Sequence, residues 1–180
     1  RAEFFFEPDF SVTDRELDLS YSITWTDRSV LSLSLEEGYV KLLEPFDPTN
    51  TGGEKIPAGS EFTWTETALM YRSNQRQLLT YSLSVRYGGY YNGTRLSLNG
   101  DVGFRVQPYA NLALATSFNR VLLPDPYTSA DLLLVGPRLD LTFTEHLFFT
   151  TFVQFNNQVD NVNLNMRFQW RFAPVSDLFI

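Results

Sequence analysis

Residues 162–172 read VNLNMRFQWRF, and apolar and polar side chains alternate through this stretch without interruption. Successive side chains of a β-strand point to opposite faces, so the stretch predicts a strand with one apolar face and one polar face. The polar face carries Arg167 and Arg171 among amide side chains. A length of ~11 residues is what a tilted strand needs to cross a bilayer. The strand therefore fits either a soluble β-protein or the wall of a membrane β-barrel.

The composition of the 180-residue chain favours strands and a membrane interface. It contains 16 Phe, 9 Tyr and 3 Trp, and aromatic side chains are enriched in strands and at membrane surfaces. No apolar run reaches the ~18 residues of a transmembrane helix. The net charge of −7 argues against nucleic-acid binding, which needs a basic surface. The absence of cysteine excludes a disulfide framework and a thiolate metal site.

The same period-two pattern recurs about ten times along the chain, and no helical stripe competes with it. The predicted strands cover residues 2–12, 17–25, 31–35, 60–71, 79–87, 96–106, 112–118, 133–143, 149–155 and 162–172. We predict an all-β fold in which residues 1–180 form a single transmembrane β-barrel domain. Its architecture is an antiparallel up-and-down meander of about ten to eleven strands that forms part of the barrel.

The predicted connections form two sets that alternate along the chain. The short set is 26–29, 72–76, 107–111, 144–146 and 173–177, and the set that is longer or richer in Gly and Pro is 42–59, 88–93, 120–130 and 156–161. Outer-membrane barrels have short periplasmic turns at one rim and longer outer loops at the other. The connections therefore predict a location in the bacterial outer membrane, with the short turns periplasmic and the long loops extracellular.

Aromatic residues on the apolar face fall near the ends of the predicted strands, as expected for aromatic girdles at two membrane–water interfaces. The expected members are Trp25, Phe104, Phe143, Trp170 and Phe172 near the short turns, and Tyr87, Phe118 and Phe155 near the long loops. The alternative is that aromatic residues simply favour strands and reach these positions by chance. We favour the membrane interpretation.

Charged residues on the predicted polar faces are the main candidates for function. The predicted lumen-facing set is Arg86, Arg95, Asp101, Arg105, Arg167 and Arg171, together with Asp18 and Glu66. Inside a barrel, such residues can bias which solutes pass. The alternative, which we favour, is that they pair across the lumen and neutralise one another, because buried polar groups need partners.

Other chemical signals in the sequence are weak. The single histidine, His146, lies in a predicted turn. The sequence contains no recognisable serine nucleophile motif with which it could act. Residues 47–54, DPTNTGGE, offer oxygen ligands but lack the spacing of an EF-hand calcium loop, so a turn is favoured. Asn92 fits the glycosylation pattern, but Asn-Gly is also a strong turn signal. We expect no catalytic residue, metal or cofactor.

The C-terminal part of the chain resembles a known family. The features that support the resemblance are F-x-Q-F-N at 152–156, N-x-R-F-x-W at 165–170 and the final SDLFI. Residues 101–180 are similar to the C-terminal outer-membrane β-barrel domain of an uncharacterised family, whose members carry an N-terminal module similar to family 9 carbohydrate-binding modules. Residues 2–91 match only in general pattern. The resemblance implies a fold and a location, and no particular activity.

The two ends of the chain fall within predicted strands. Unpaired strand edges facing lipid leave backbone groups without hydrogen bonds, at a cost of several kcal/mol each. We therefore expect the chain to be a fragment of a longer protein that supplies further strands before Arg1 and after Ile180.

We expect a non-enzymatic outer-membrane β-barrel protein that acts as a pore, a membrane anchor or a subunit of an envelope assembly. The expected partners are outer-membrane lipid and, through loops 42–59 and 120–130, other envelope proteins or glycan. One alternative is a soluble ligand-binding β-barrel with its apolar face inward. The other is an outer-membrane barrel enzyme that uses His146.

Overall fold

A computed structural model describes all residues from Arg1 to Ile180. It consists of eleven β-strands: β1 (Ala2–Phe6), β2 (Val12–Thr24), β3 (Val30–Lys41), β4 (Glu61–Arg72), β5 (Leu79–Tyr90), β6 (Gly93–Val106), β7 (Ala110–Leu122), β8 (Ala130–Thr144), β9 (Leu147–Asn156), β10 (Asn161–Ala173) and β11 (Ser176–Phe179). No helical segment has the length and hydrophobicity to span a membrane.

The strands form one antiparallel sheet whose spatial order is the order of the strands in the chain. Each strand is hydrogen-bonded to its sequence neighbours, and β1 and β11 are the two edges of an open sheet. The predicted all-β, up-and-down meander is therefore confirmed. Alternation alone was sufficient for this prediction, because consecutive amphipathic strands joined by short connections pair most simply with one another.

The predicted first strand, residues 2–12, is wrong as a single element. β1 ends at Phe6, residues 7–11 form a turn, and β2 begins at Val12. Pro8 cannot donate a ladder hydrogen bond, and Phe10 has a left-handed φ of 66°. The amide of Glu7 donates to the carbonyl of Ser11 and closes the turn.

The predicted loop at residues 88–93 is also wrong. β5 continues to Tyr90 and β6 begins at Gly93, so only Tyr91 and Asn92 form the turn. Gly88 and Gly89 lie within the strand, at positions where the backbone of β4 and the side chain of Trp64 approach too closely for a Cβ atom. These glycines therefore mark close packing between strands, and not a flexible connection.

The connections lie at two rims, which we call the long-loop rim and the short-turn rim. The long-loop rim carries connections 7–11, 42–60, 91–92, 123–129 and 157–160, and the short-turn rim carries 25–29, 73–78, 107–109, 145–146 and 174–175. The predicted alternation of short and long connections is wrong, since connection 91–92 at the long-loop rim is shorter than connection 73–78 at the short-turn rim. The difference between the rims comes mainly from 42–60 and 123–129.

The two faces of the sheet differ in composition and exposure. On the apolar face, large side chains lie beside one another across neighbouring strands, as Leu33 does between Tyr21 and Leu69, and most of them are exposed. On the polar face, Ser34 lies between Ser20 and Ala68. Only Leu42, Ile56 and Val121 are buried hydrophobic residues. The sheet thus has no second layer packed on its apolar face.

Candidate functional site

The strand register brings all the predicted charged residues onto the polar face. The pairs that show this are Arg86 with Ser97, Arg95 with Gly88, Asp101 with Ser82, Arg105 with Asn111, Arg167 with Thr150, Arg171 with Asp177, and Asp18 with Glu36 beside Glu66. Directly paired residues in an antiparallel sheet project from the same face. The shared face follows from period-two alternation, whereas the contacts among these residues depend on register.

Four of the charges on this face form a connected group, which we call the ion cluster: Glu36, Glu66, Arg86 and Arg95. Arg95 donates from Nε and Nη2 to the two carboxylate oxygens of Glu66, at 3.1 and 2.8 Å. Arg86 donates from Nη1 to Glu36 at 2.5 Å and to Glu66 at 3.3 Å. The side chain of Glu66 is only 1% exposed. One buried carboxylate is therefore bound by two arginines.

The ion cluster depends on a glycine between its members. Glu36, Glu66, Gly88 and Arg95 lie side by side in register on β3, β4, β5 and β6. Because Gly88 has no side chain, Arg95 can reach across β5 to Glu66. A Cβ atom at Gly88 would lie 2.5 Å from the Glu66 Cα and 3.0 Å from its Cγ, and would also meet the carbonyl of Thr65.

The charges in the ion cluster balance, with two carboxylates facing two guanidinium groups. A buried carboxylate is costly unless it is paired and hydrogen-bonded, and Glu66 meets both conditions. Every charge is committed to a partner, which leaves no free base or nucleophile here. The geometry therefore supports a role in holding β3, β4, β5 and β6 together.

An aromatic cluster lies beside the ion cluster at the long-loop rim. It consists of Phe46, Phe62, Trp64, Tyr90 and Tyr91. The Arg95 guanidinium lies 4.3 Å from the centre of the Tyr90 ring, and the rings of Tyr90 and Tyr91 are 4.8 Å apart. Burial, helped by the neighbouring Tyr90 and Asp14, raises the pKa of Tyr91 to about 12. Sequence reasoning missed this cluster because its members come from three separate segments.

A second polar row crosses the sheet nearer the short-turn rim. It runs from Arg105 through Asn111, Asp140 and Thr150 to Arg167, on β6 to β10. Asn111 Nδ2 donates to Asp140 Oδ2 at 3.2 Å. Arg138, two residues before Asp140 on the same strand, donates to it at 3.0 Å.

Pairing of charges across a lumen stays a prediction, because the sheet is open. Along the sheet, only part of the predicted set is paired. Arg86 and Arg95 are paired in the ion cluster, and Arg171 contacts Asp177 at 3.2 Å. Arg105 and Arg167 have no carboxylate within ion-pair distance; Arg167 lies over the ring of Phe179.

Sequence reasoning did not single out Glu36, Arg138 or Asp140. The alternation of Arg138 and Asp140 with Leu139 and Leu141 was the available signal. This alternation predicts the face on which each residue lies, but it does not predict the contact between Arg138 and Asp140.

Seven of the eight predicted girdle aromatics lie on the apolar face; Phe143 falls at the irregularity between Thr142 and Thr144 in the pairing of β8 with β9. Their neighbours across the strands include Leu79 for Phe104, Leu96 for Tyr87, Leu98 for Phe118 and Val162 for Phe155. Near the short-turn rim, the rings of Trp25 and Tyr71 are 6.5 Å apart and those of Trp170 and Phe172 are 5.8 Å apart. The side chains of Trp25, Phe104, Phe143, Trp170 and Phe172 are exposed, as is Tyr87. Their location at membrane interfaces stays a prediction.

The remaining candidate residues lie in connections. His146 is exposed in the 145–146 turn, where its backbone amide donates to Thr144 Oγ1 and its ring forms no hydrogen bond. Asn92 lies in the two-residue turn. No group of three or more His, Cys, Asp or Glu side chains is arranged to hold a metal ion.

The carboxylate of Asp47 is bound by its own loop. It accepts hydrogen bonds from the amides of Thr49, Thr51, Gly52 and Gly53 and from the Thr49 hydroxyl, at 2.7 to 3.2 Å. Burial acts to raise the pKa of Asp47, but the hydrogen bonds from Thr49, Gly52 and Thr51 outweigh it and hold the pKa below its ordinary value. Asp47 therefore shapes the loop, as the sequence-based turn interpretation expected.

Comparison of the chain with protein-family models, with curated proteins and with solved structures yields no match to any of them.

Proposed function

We propose that this chain forms part of the wall of a β-barrel in the bacterial outer membrane, as a non-enzymatic protein. The observation that carries the proposal is the exposed apolar face, which runs across the sheet opposite a polar face that holds the ion cluster. Leu83, for example, is 53% exposed and lies between Tyr71 and Gly100. Large contiguous apolar surfaces on soluble proteins are rare, and lipid is the environment that suits one.

The strand lengths support the same proposal. β2 to β8 have 12 to 15 residues each, and a tilted strand needs ~9–11 residues to cross the hydrocarbon core. Strands of soluble proteins are usually about five or six residues long. The additional residues at each end would lie in the interfacial regions of the membrane.

The two alternative functions have less support. A soluble ligand-binding β-barrel would enclose its apolar side chains, whereas Leu33, Leu83 and Leu112 are exposed here. An outer-membrane enzyme that uses His146 would need a nucleophile and an orienting group near it, and the imidazole ring has no hydrogen-bond partner. We therefore favour a role as a membrane wall, serving as a pore, an anchor or a subunit of an envelope assembly.

Labelling of single cysteines tests this proposal, because the chain has no native cysteine. Leu83→Cys and Ser84→Cys place a thiol on opposite faces of β5. In lipid vesicles we expect the thiol at position 83 to be protected from a water-soluble maleimide and to react with a lipid-soluble one. The thiol at position 84 should react with the water-soluble reagent. Equal labelling of both positions by the water-soluble reagent, or failure of the protein to associate with vesicles, would contradict the proposal.

A further inference from the structure

The 42–60 loop has a defined internal structure. Phe46 and Ile56 exchange backbone hydrogen bonds of 3.0 and 2.8 Å across the loop, and the amide of Leu42 donates to the carbonyl of Ser60 at 2.9 Å. The Asp47 carboxylate holds the tip through the donors described above. Thr49 and Ile56 are each 1% exposed. The loop is therefore a folded unit with its own buried residues.

The loop folds toward the polar face of the sheet. The Phe46 ring is 5.5 Å from the ring of Tyr91, which in turn packs against Trp64 and Phe62. Trp64 pairs with Gly38 on the polar face, in the same set of side chains as Glu36 and Glu66. The base of the loop is thus attached to that face.

The tip of the loop contacts two connections further along the strand order, at the same rim. Gln158, in the connection between β9 and β10, donates from Nε2 to the carbonyl oxygens of Asn50 at 2.9 Å and Thr49 at 3.3 Å. Gly53 lies against Thr128, in the connection between β7 and β8, so closely that a Cβ atom would collide with that side chain. The loop that leaves β3 therefore passes over the ends of the strands between β4 and β9.

The burial of polar-face residues agrees with the path of the 42–60 loop over the strand ends. Near the long-loop rim, Gly38, Glu66, Ser97 and Val121 are buried. Toward the short-turn rim, polar-face residues such as Ser20, Ser22, Thr24 and Arg105 are exposed. Near the long-loop rim the polar face is therefore covered on the middle strands, whereas Asp14, Glu16, Asn161 and Asn163, on β2 and β10, are exposed there.

We propose that the 42–60 loop is a fixed cover over the long-loop end of the polar interior, and that it restricts the passage of solutes. This inference rests on the proposed function, since it needs a polar interior enclosed by a membrane wall. Gln158 and Thr128 hold the tip in place, and the Phe46 ring on Tyr91 holds the base. Solutes can then reach the polar interior from the short-turn rim, whereas the loop obstructs the long-loop end from β4 to β9.

Crosslinking tests the position of the loop independently of the membrane. In the full-length protein, Asn50→Cys with Gln158→Cys replaces the bridging side chain by two thiols, which we expect a short bifunctional thiol reagent to join. Asn50→Cys with Gln75→Cys is the matched control, because Gln75 lies in the 73–78 connection at the opposite rim. Crosslinking of the first pair alone is expected. Failure to crosslink it, or equal crosslinking of both pairs, would overturn the inference and leave the proposed membrane wall intact.

Ionic current tests the function of the loop. We expect low potassium chloride conductance for the wild-type protein in planar lipid bilayers. A variant in which Gly-Gly replaces residues 47–55 should conduct several-fold more, and Gln158→Ala should show frequent openings, whereas Gln75→Ala behaves as wild type. Unchanged current in the shortened variant would overturn the inference. Failure of every form to insert would instead overturn the proposed function, and with it the interior that the loop would cover.

Discussion

Arg95 reaches Glu66 by crossing directly over Gly88, the residue that separates them in the row of β4, β5 and β6. Its two hydrogen bonds to the carboxylate, at 3.1 and 2.8 Å, are made between strands that are not neighbours. This relationship links three residues into one unit, in which the absence of a side chain is as necessary as the two charges.

Gly88→Ala is expected to destabilise the protein. The new methyl group would collide with Glu66 and with the carbonyl of Thr65, and overpacking of this kind costs about 1–3 kcal/mol. Displacement of Arg95 from Glu66 would add to that cost. The free energy of unfolding in detergent, measured by urea titration, checks this.

Gly100→Ala is the control for Gly88→Ala. Its Cβ atom would meet mainly the Thr116 hydroxyl, at 3.1 Å, and should cost much less. If the two substitutions destabilise the protein equally, the position of Gly88 between Glu66 and Arg95 has no particular importance for stability.

Glu66→Gln is expected to lower the free energy of unfolding by about 3 kcal/mol. The substitution removes the negative charge that the Arg86 and Arg95 guanidinium groups share. Asp131→Asn is the exposed comparison. Asp131 pairs with Arg120 at 2.8 Å, and both side chains are 50% exposed, so the loss should be below ~1 kcal/mol. Losses of the same size in a urea titration would contradict the structural role assigned to the ion cluster.

An arginine on the apolar face should impair membrane insertion, whereas one on the polar face should not. Leu35, near the middle of β3, is 48% exposed, and Leu35→Arg should cost about 2–4 kcal/mol in a bilayer. Ser34→Arg places the same charge on the polar face. Folding into lipid vesicles, followed by resistance to proteolysis, measures the difference. Equal insertion of both variants would argue against lipid contact at Leu35.

Order in the 42–60 loop should depend on pH through Asp47. The pKa of Asp47 lies below its ordinary value of 3.8, so the ionised form is favoured in the folded loop. The stabilisation is complete above that ordinary value and is lost as pH falls through the lower pKa of the folded state. Amide NMR shifts of Thr49 and Gly52 in detergent micelles should therefore remain constant down to about pH 4 and change below it.

Asp47→Asn is the control for the titration, because it removes the ionisable group and retains the size of the side chain. This variant should show weaker order in the loop at neutral pH and no acid transition. An identical acid transition in Asp47→Asn would assign the pH dependence to a different group.

The face of each residue could be predicted from sequence because side-chain direction in a strand depends only on position. Thus Arg167 and Arg171 could be placed opposite Trp170 without any knowledge of their neighbours. The start of β2 was harder to predict. Arg15 lies on the apolar face, paired with Glu37 at 2.6 Å, so the run DREL has no period-two contrast.

Contacts across several strands could not be predicted in the same way. The Glu66–Arg95 pair depends on the register of β4 with β5 and of β5 with β6, because a shift in either would move Gly88 out of the row. The contact of Gln158 with Asn50 joins residues 108 positions apart. Neither residue type signals such a contact, since both are ordinary in exposed turns.

The strictly sequential order of the strands also affects how such a sheet could change in size. If every strand touched only its two neighbours, a hairpin could be removed or duplicated as a unit, and all other pairings would keep their register. Arg86 and Arg95 break this independence, since each reaches a carboxylate beyond the adjacent strand. The four strands from β3 to β6 are therefore coupled through their side chains. The 42–60 loop, which contacts Thr128 and Gln158, extends this coupling to the hairpins between β7 and β10.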